Sequence, residues 1–80
     1  MIAKFPSEAP KRRVIKTLKK LGFDIVREKE HISMMRIDSE GNKTPLTIPN
    51  HSIINGALLR LICTQAGINR DEFIEAYNNS

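Results

Sequence analysis

Two histidines, one cysteine and a set of lysines and arginines are the side chains through which this 80-residue chain could do chemistry. Histidine, with an ordinary pKa of about 6.5, can both give and take a proton near neutrality. His31 lies in "REKEHISMMR" (Arg27 to Arg36), close in sequence to Arg27, Lys29 and Arg36. RNA brings its own nucleophile, the 2′-hydroxyl. Cleaving it therefore needs proton removal, stabilisation of charge on the phosphorane and protonation of the leaving oxygen. One histidine with cations nearby supplies much of that without a metal or other cofactor, and none is expected here. His31 is the candidate catalytic acid or base; the plain alternative is a polar residue at a strand end.

His51, in "PNHS", is the other candidate and reads as structural or supporting, because a polar residue ahead of a helix can satisfy free backbone donors. Cys63 has no histidine near it in sequence. Helical counting puts it on the flank or outer side of its helix, incidental rather than nucleophilic. The four glycines, Gly22, Gly41, Gly56 and Gly67, stand far apart at element ends and form no phosphate loop. Two histidines twenty positions apart and one distant cysteine give no zinc-ligand spacing.

The charge is unevenly spread. Residues 1–36 carry ten Lys/Arg and four Asp/Glu, and residues 37–80 carry three and five. A basic front half attracts polyanions such as nucleic acid. No apolar run reaches the roughly 20 residues of a membrane helix, and "MIAKFPSEAP" lacks the apolar core of a secretory signal. With a single cysteine besides, the expected location is the cytoplasm.

These residues have to be positioned by a small fold, and the length suits one domain, 1–80, with residues 1–9 expected as a poorly ordered arm and 10–80 as the globular part. A first helix is expected from Pro10 to Leu21, stopped by Gly22, with Val14, Ile15, Leu18 and Leu21 on its apolar side. Arg12, Arg13, Lys16, Lys19 and Lys20 fall on the opposite side as a basic stripe. The period then changes to that of strands over Phe23–Lys29 and His31–Ile37. In the second, His31, Ser33, Met35 and Ile37 share one face, Ile32, Met34 and Arg36 the other, and the pattern does not decide which is inward. Gly41-Asn42 marks a hairpin into Thr44–Pro49, an edge strand because Pro45 has no donor for a ladder. A second helix from Gly56 to Ala66, with Asn55 as N-cap, should bury Ile54, Leu58, Leu61 and Ile62. Asn69 and Glu72 have capping-box spacing ahead of a short third helix carrying Phe73, Ile74 and Tyr77. The expected class is α+β: an α-β-β-β-α order with a three-stranded antiparallel sheet and a short extra C-terminal helix, the order of double-stranded-RNA-binding domains.

Three stretches, in this order and spacing, resemble the HicA family of small mRNA-cleaving toxins: "VIKTLKKLGFDIVREKEH", "LTIPNH" with its Pro-x-His, and "INGALLRLICTQAGI" followed by "NRDEFI". The resemblance covers most of the chain. It implies a double-stranded-RNA-binding-like fold, the toxin half of a toxin–antitoxin pair, endoribonuclease activity on mRNA, and a HicB-like antitoxin that covers the site. It carries the catalytic role onto His31, and His51 matches the Pro-x-His element. Where many members read Gly-Ser before the histidine, this chain reads Lys29-Glu30, without the backbone freedom of a glycine. On this reading Arg12, Lys16, Lys19, Lys20, Arg27 and Lys29 would hold the RNA backbone. Its rival is a non-catalytic RNA-binding or protein-interaction module of the same fold.

Overall fold

Residues 5–79 are described by the computed structural model. In chain order the elements are β1 (Glu8–Pro10), α1 (Lys11–Lys20), β2 (Phe23–Glu28), β3 (His31–Ile37), β4 (Lys43–Pro49), β5 (Ile53–Asn55), α2 (Gly56–Ala66) and α3 (Arg70–Asn78). Strands β2, β3 and β4 make an antiparallel sheet with β3 in the middle, and β1 pairs with β5 in a separate two-stranded ribbon. The helix, three-stranded meander, helix and short last helix form the expected α+β architecture.

The sheet's inner face is set by β3. Ile32 and Met34 are buried, whereas His31, Ser33 and Met35 lie on the other face. Ile25, Met34 and Leu46 line up across the three strands, with Ile32 beside Ile48 in another row. Val14 and Leu18 of α1, Leu59 and Ile62 of α2, and Phe73 and Tyr77 of α3 complete the core. Helix α2 buries Leu59, Ile62, Cys63 and Ala66, spaced i, i+3, i+4 and i+7. This corrects the expected stripe. Leu61 is 57% exposed, and Ile54 belongs to β5, so counting from it sets the wrong helical phase.

Helix ends follow local chemistry. Asn55 accepts from the Leu58 N–H (2.9 Å) and Asn69 from the Glu72 N–H (2.8 Å), as N-caps do. Helix α1 starts one residue later than expected. Pro10 is its N-cap position, no side chain caps it, and the Lys11 N–H donates to the Ser52 carbonyl at 2.9 Å. At the other ends of α1 and α2 a single side chain serves both helices. Arg36, on β3, donates to the carbonyls of Leu21 (3.5 Å) and Ala66 (3.2 Å) while its guanidinium lies over the Phe23 ring. In the β3–β4 turn, Asp38 accepts from the backbone N–H groups of Glu40 and Asn42 (2.9 Å each). The Asn42 backbone and side-chain amides hold its carboxyl below the usual carboxylate range.

The β1–β5 ribbon has no sequence signature, because three residues are too few for alternation to stand out. Within the segment expected as an arm, Ala9 is buried opposite Ile54 and Phe5 packs on the core; residues 1–4 lie outside the described residues. The chain passes very close to α2 there. The Gly56 N–H donates to the Ser7 carbonyl at 2.6 Å, and a Cβ on Gly56 would stand 2.9 Å from the Ser7 oxygen and 3.1 Å from the Pro6 oxygen. Both are backbone atoms and cannot swing aside. Gly56→Ala is therefore expected to destabilise the protein by about 1–3 kcal/mol in a urea titration, although alanine is ordinarily the better helix residue.

Candidate active site

His31 is the first residue of β3, exposed, and directly opposite Pro49 of β4. Its side chain belongs to the sheet face turned away from the helices. Simple alternation along β2 would put Arg27 on the inner face with Phe23 and Ile25. A bulge intervenes: Ile25 pairs with Met34 but Arg27 pairs with Ser33, so Val26 is the extra residue. The bulge transfers Arg27 to the outer face, beside Ser33 and one alternation from His31. Arg27, Lys29, Glu30, His31 and Ser33 line one shallow, open depression. Two cations, a hydroxyl, an imidazole and one carboxylate thus share a surface.

The backbone that delivers His31 is held from behind. The Lys29 N–H donates to the His31 carbonyl at 3.1 Å across the turn. Asn50, just after β4, then binds the same turn twice. Its Nδ2 donates to the Lys29 carbonyl (2.7 Å) and its backbone N–H to the Glu30 carbonyl (3.3 Å). The Asn50 Oδ1 accepts from Lys11 Nζ, which connects the start of α1 to this end of the sheet. Asn50 was not among the expected site residues. Nothing but its place between Pro49 and His51 marks it in the sequence, since its partners lie 21 and 39 positions away.

The other candidate residues divide by position. His51 is exposed in the connection from β4 to β5, and Arg12 is exposed beside Ser52 at the start of α1. Both are near the end of the fold that carries the turn. Lys16 and Lys19 continue along the exposed side of α1, whose ten residues extend about 15 Å. Lys20 is at the far end, and its Nζ donates to the Asn79 carbonyl after α3. Arg13, on the same side as Lys20, donates to the Tyr77 carbonyl (3.0 Å) and lies 3.9 Å from that ring's centre. Apart from Lys11, held by Asn50, the basic residues of α1 thus form two sets, one open to solvent and one holding the end of α3.

Cys63 is not on the outer side of α2 as helical counting suggested. It is 4% exposed and faces the core, because the buried side of α2 runs through Leu59, Ile62 and Ala66. Desolvation pushes its thiol up to about 11. A thiol-specific disulfide reagent at pH 8 is expected to react slowly with the folded protein and at the rate of a free thiol once the protein is unfolded in denaturant. Among the described residues no three or more His, Cys, Asp or Glu side chains gather where a metal ion could be held.

With this geometry in place, the sequence pattern of the family described as the HicA toxin of bacterial toxin–antitoxin matches residues 12–68. The chain belongs to the HicA toxin family. The match runs from α1 through β2, β3, β4, β5 and α2 and stops at Ile68, so β1 and α3 lie outside it. No curated protein and no solved structure gives a significant match. Membership makes this HicA-family chain the toxin of a toxin–antitoxin pair, with a cognate antitoxin as its partner. No described helix is long and apolar enough to cross a membrane.

Proposed function

We propose that this HicA-family toxin is an endoribonuclease that cleaves mRNA without a metal ion, using His31 as general acid or base. The observation that carries the reading is the exposed His31 imidazole on the same depression as Arg27 and Lys29. The cations would bind the phosphates on either side of the scissile bond and offset charge as the phosphorane forms. Arg12, Lys16 and Lys19, open to solvent on α1, would extend the contact along the RNA backbone. Lys20, engaged with the Asn79 carbonyl, would add less. His51, on the neighbouring connection, is a supporting residue. The 2′-hydroxyl attacks the adjacent phosphorus, the bond to the 5′-oxygen breaks, and a proton leaves the first oxygen and reaches the second. A HicB-like antitoxin would block this surface, and the cytoplasm, where mRNA is found, is the expected compartment.

The test is incubation of RNA with the purified protein in excess EDTA, with analysis of the new ends. Cleavage leaving a 2′,3′-cyclic phosphate and a 5′-hydroxyl is expected. Binding without cleavage, together with expression that leaves growth unaffected, would instead identify a module that only binds.

A further inference from the structure

We infer that Asn50 is a positioning residue, whose side-chain amide fixes the Lys29–Glu30 turn and thereby sets the direction in which His31 presents its imidazole. The inference rests on the ribonuclease reading above and adds a second residue to it. His31 lies at the end of its strand, where a ladder gives least control of orientation. Beyond the pairing of His31 with Pro49 and the bond its carbonyl accepts from the Lys29 N–H, the preceding turn is restrained by the bonds from the residue that follows Pro49.

The amide is suited to this place. Lys11 Nζ can only donate, so the Asn50 oxygen must face it and the Nδ2 must face the other way, onto the Lys29 carbonyl. Donor and acceptor are both used, and each fixes the orientation of the other. The backbone N–H of the same residue reaches the Glu30 carbonyl, so two consecutive carbonyls of the turn bind one residue. Lys29 and His31 both line the depression, and the restrained peptide units connect them. Releasing the turn would change the distance between phosphate-binding cation and proton-transfer group, while leaving every cation in the protein.

That predicts a split in kinetics. Asn50→Ala removes both side-chain bonds. Asn50→Asp keeps an acceptor for Lys11 but loses the donor to Lys29 and sets an anionic oxygen against that carbonyl. Asn50→Asp should melt within about 5 °C of wild type yet lose about 10–100-fold in kcat. Its KM for RNA should change by no more than about threefold, because backbone binding is retained. The Lys29 amide should also exchange with solvent faster, a readout that does not depend on activity. His31→Ala is measured in parallel. If His31→Ala abolishes cleavage while Asn50→Asp and Asn50→Ala keep kcat within about twofold of wild type, the positioning role is wrong and the ribonuclease reading stands. If His31→Ala cleaves at the wild-type rate, both fail together. If the Asn50→Asp losses track its melting temperature and the Lys29 amide is unchanged, Asn50 is merely structural and the inference is overturned.

Discussion

His31→Ala is expected to lower the rate of RNA cleavage by roughly 10²–10⁴-fold, the range that a positioned acid or base contributes. The fold should not register the change. His31 is exposed at the first position of β3, and among the described residues its imidazole makes no hydrogen bond. Surface substitutions of that kind stay within about 0.5 kcal/mol. RNA binding should also be retained, since Arg27, Lys29 and the open cations of α1 are untouched. The dependence of binding on salt should therefore keep its slope, which counts phosphates neutralised. Single-turnover cleavage in EDTA, a urea melt and a salt titration of RNA binding separate the three quantities. Cleavage by the variant at the original rate would refute the proposed mechanism. A loss of cleavage accompanied by an equal loss of binding would point to the imidazole as a contact rather than an acid or base.

Phe73→Ala should cost about 3–5 kcal/mol, as expected when a buried phenylalanine is cut to a methyl. A domain of this size has stability near the lower end of the usual ~5–15 kcal/mol, so the variant should be largely unfolded at 37 °C. Phe73 is fully buried. Its ring lies 5.7 Å from that of Phe5 and 5.9 Å from that of Tyr77, and Tyr77 in turn carries the Arg13 guanidinium. One side chain thus joins the N-terminal segment, α3 and α1. The prediction concerns the parts of the chain beyond the family match, which ends before α3. If Phe73→Ala costs less than about 1 kcal/mol by chemical denaturation, α3 is an appendage to the core.

How far the sequence reveals this molecule depends on how local each determinant is. Helices α1, α2 and α3 and the strands of the main sheet announce themselves through period, Gly22 and Gly67, and the caps Asn55 and Asn69, because those signals act within a few residues. The inward face of β3 was not legible, since Ile32 and Met34 alternate with Met35 and Ile37 and both sets are apolar. Which set is covered depends on where the helices pack. The bulge at Val26 is equally silent, and it decides the face of Arg27. His31 could be singled out from its chemistry alone. Asn50 could not, because its partners are brought to it from the β2–β3 turn and from α1 by the completed fold. The misjudged Leu61 and Cys63 share a cause: Ile54 looks like a helix residue until pairing with Ala9 claims it for a strand.

The outer margin of the sheet has a further consequence. Residues 43, 45, 47 and 49 of β4 have the same parity, and the ladder to β3 is continuous from Lys43 to Pro49. Pro45 and Pro49 fit that ladder only if their nitrogens point away from β3. Of the four backbone nitrogens directed outward along this margin, only those of Lys43 and Thr47 bear a hydrogen. A second chain approaching there would meet acceptor carbonyls but only two donors, so self-templated growth into fibrils is disfavoured on that side by composition.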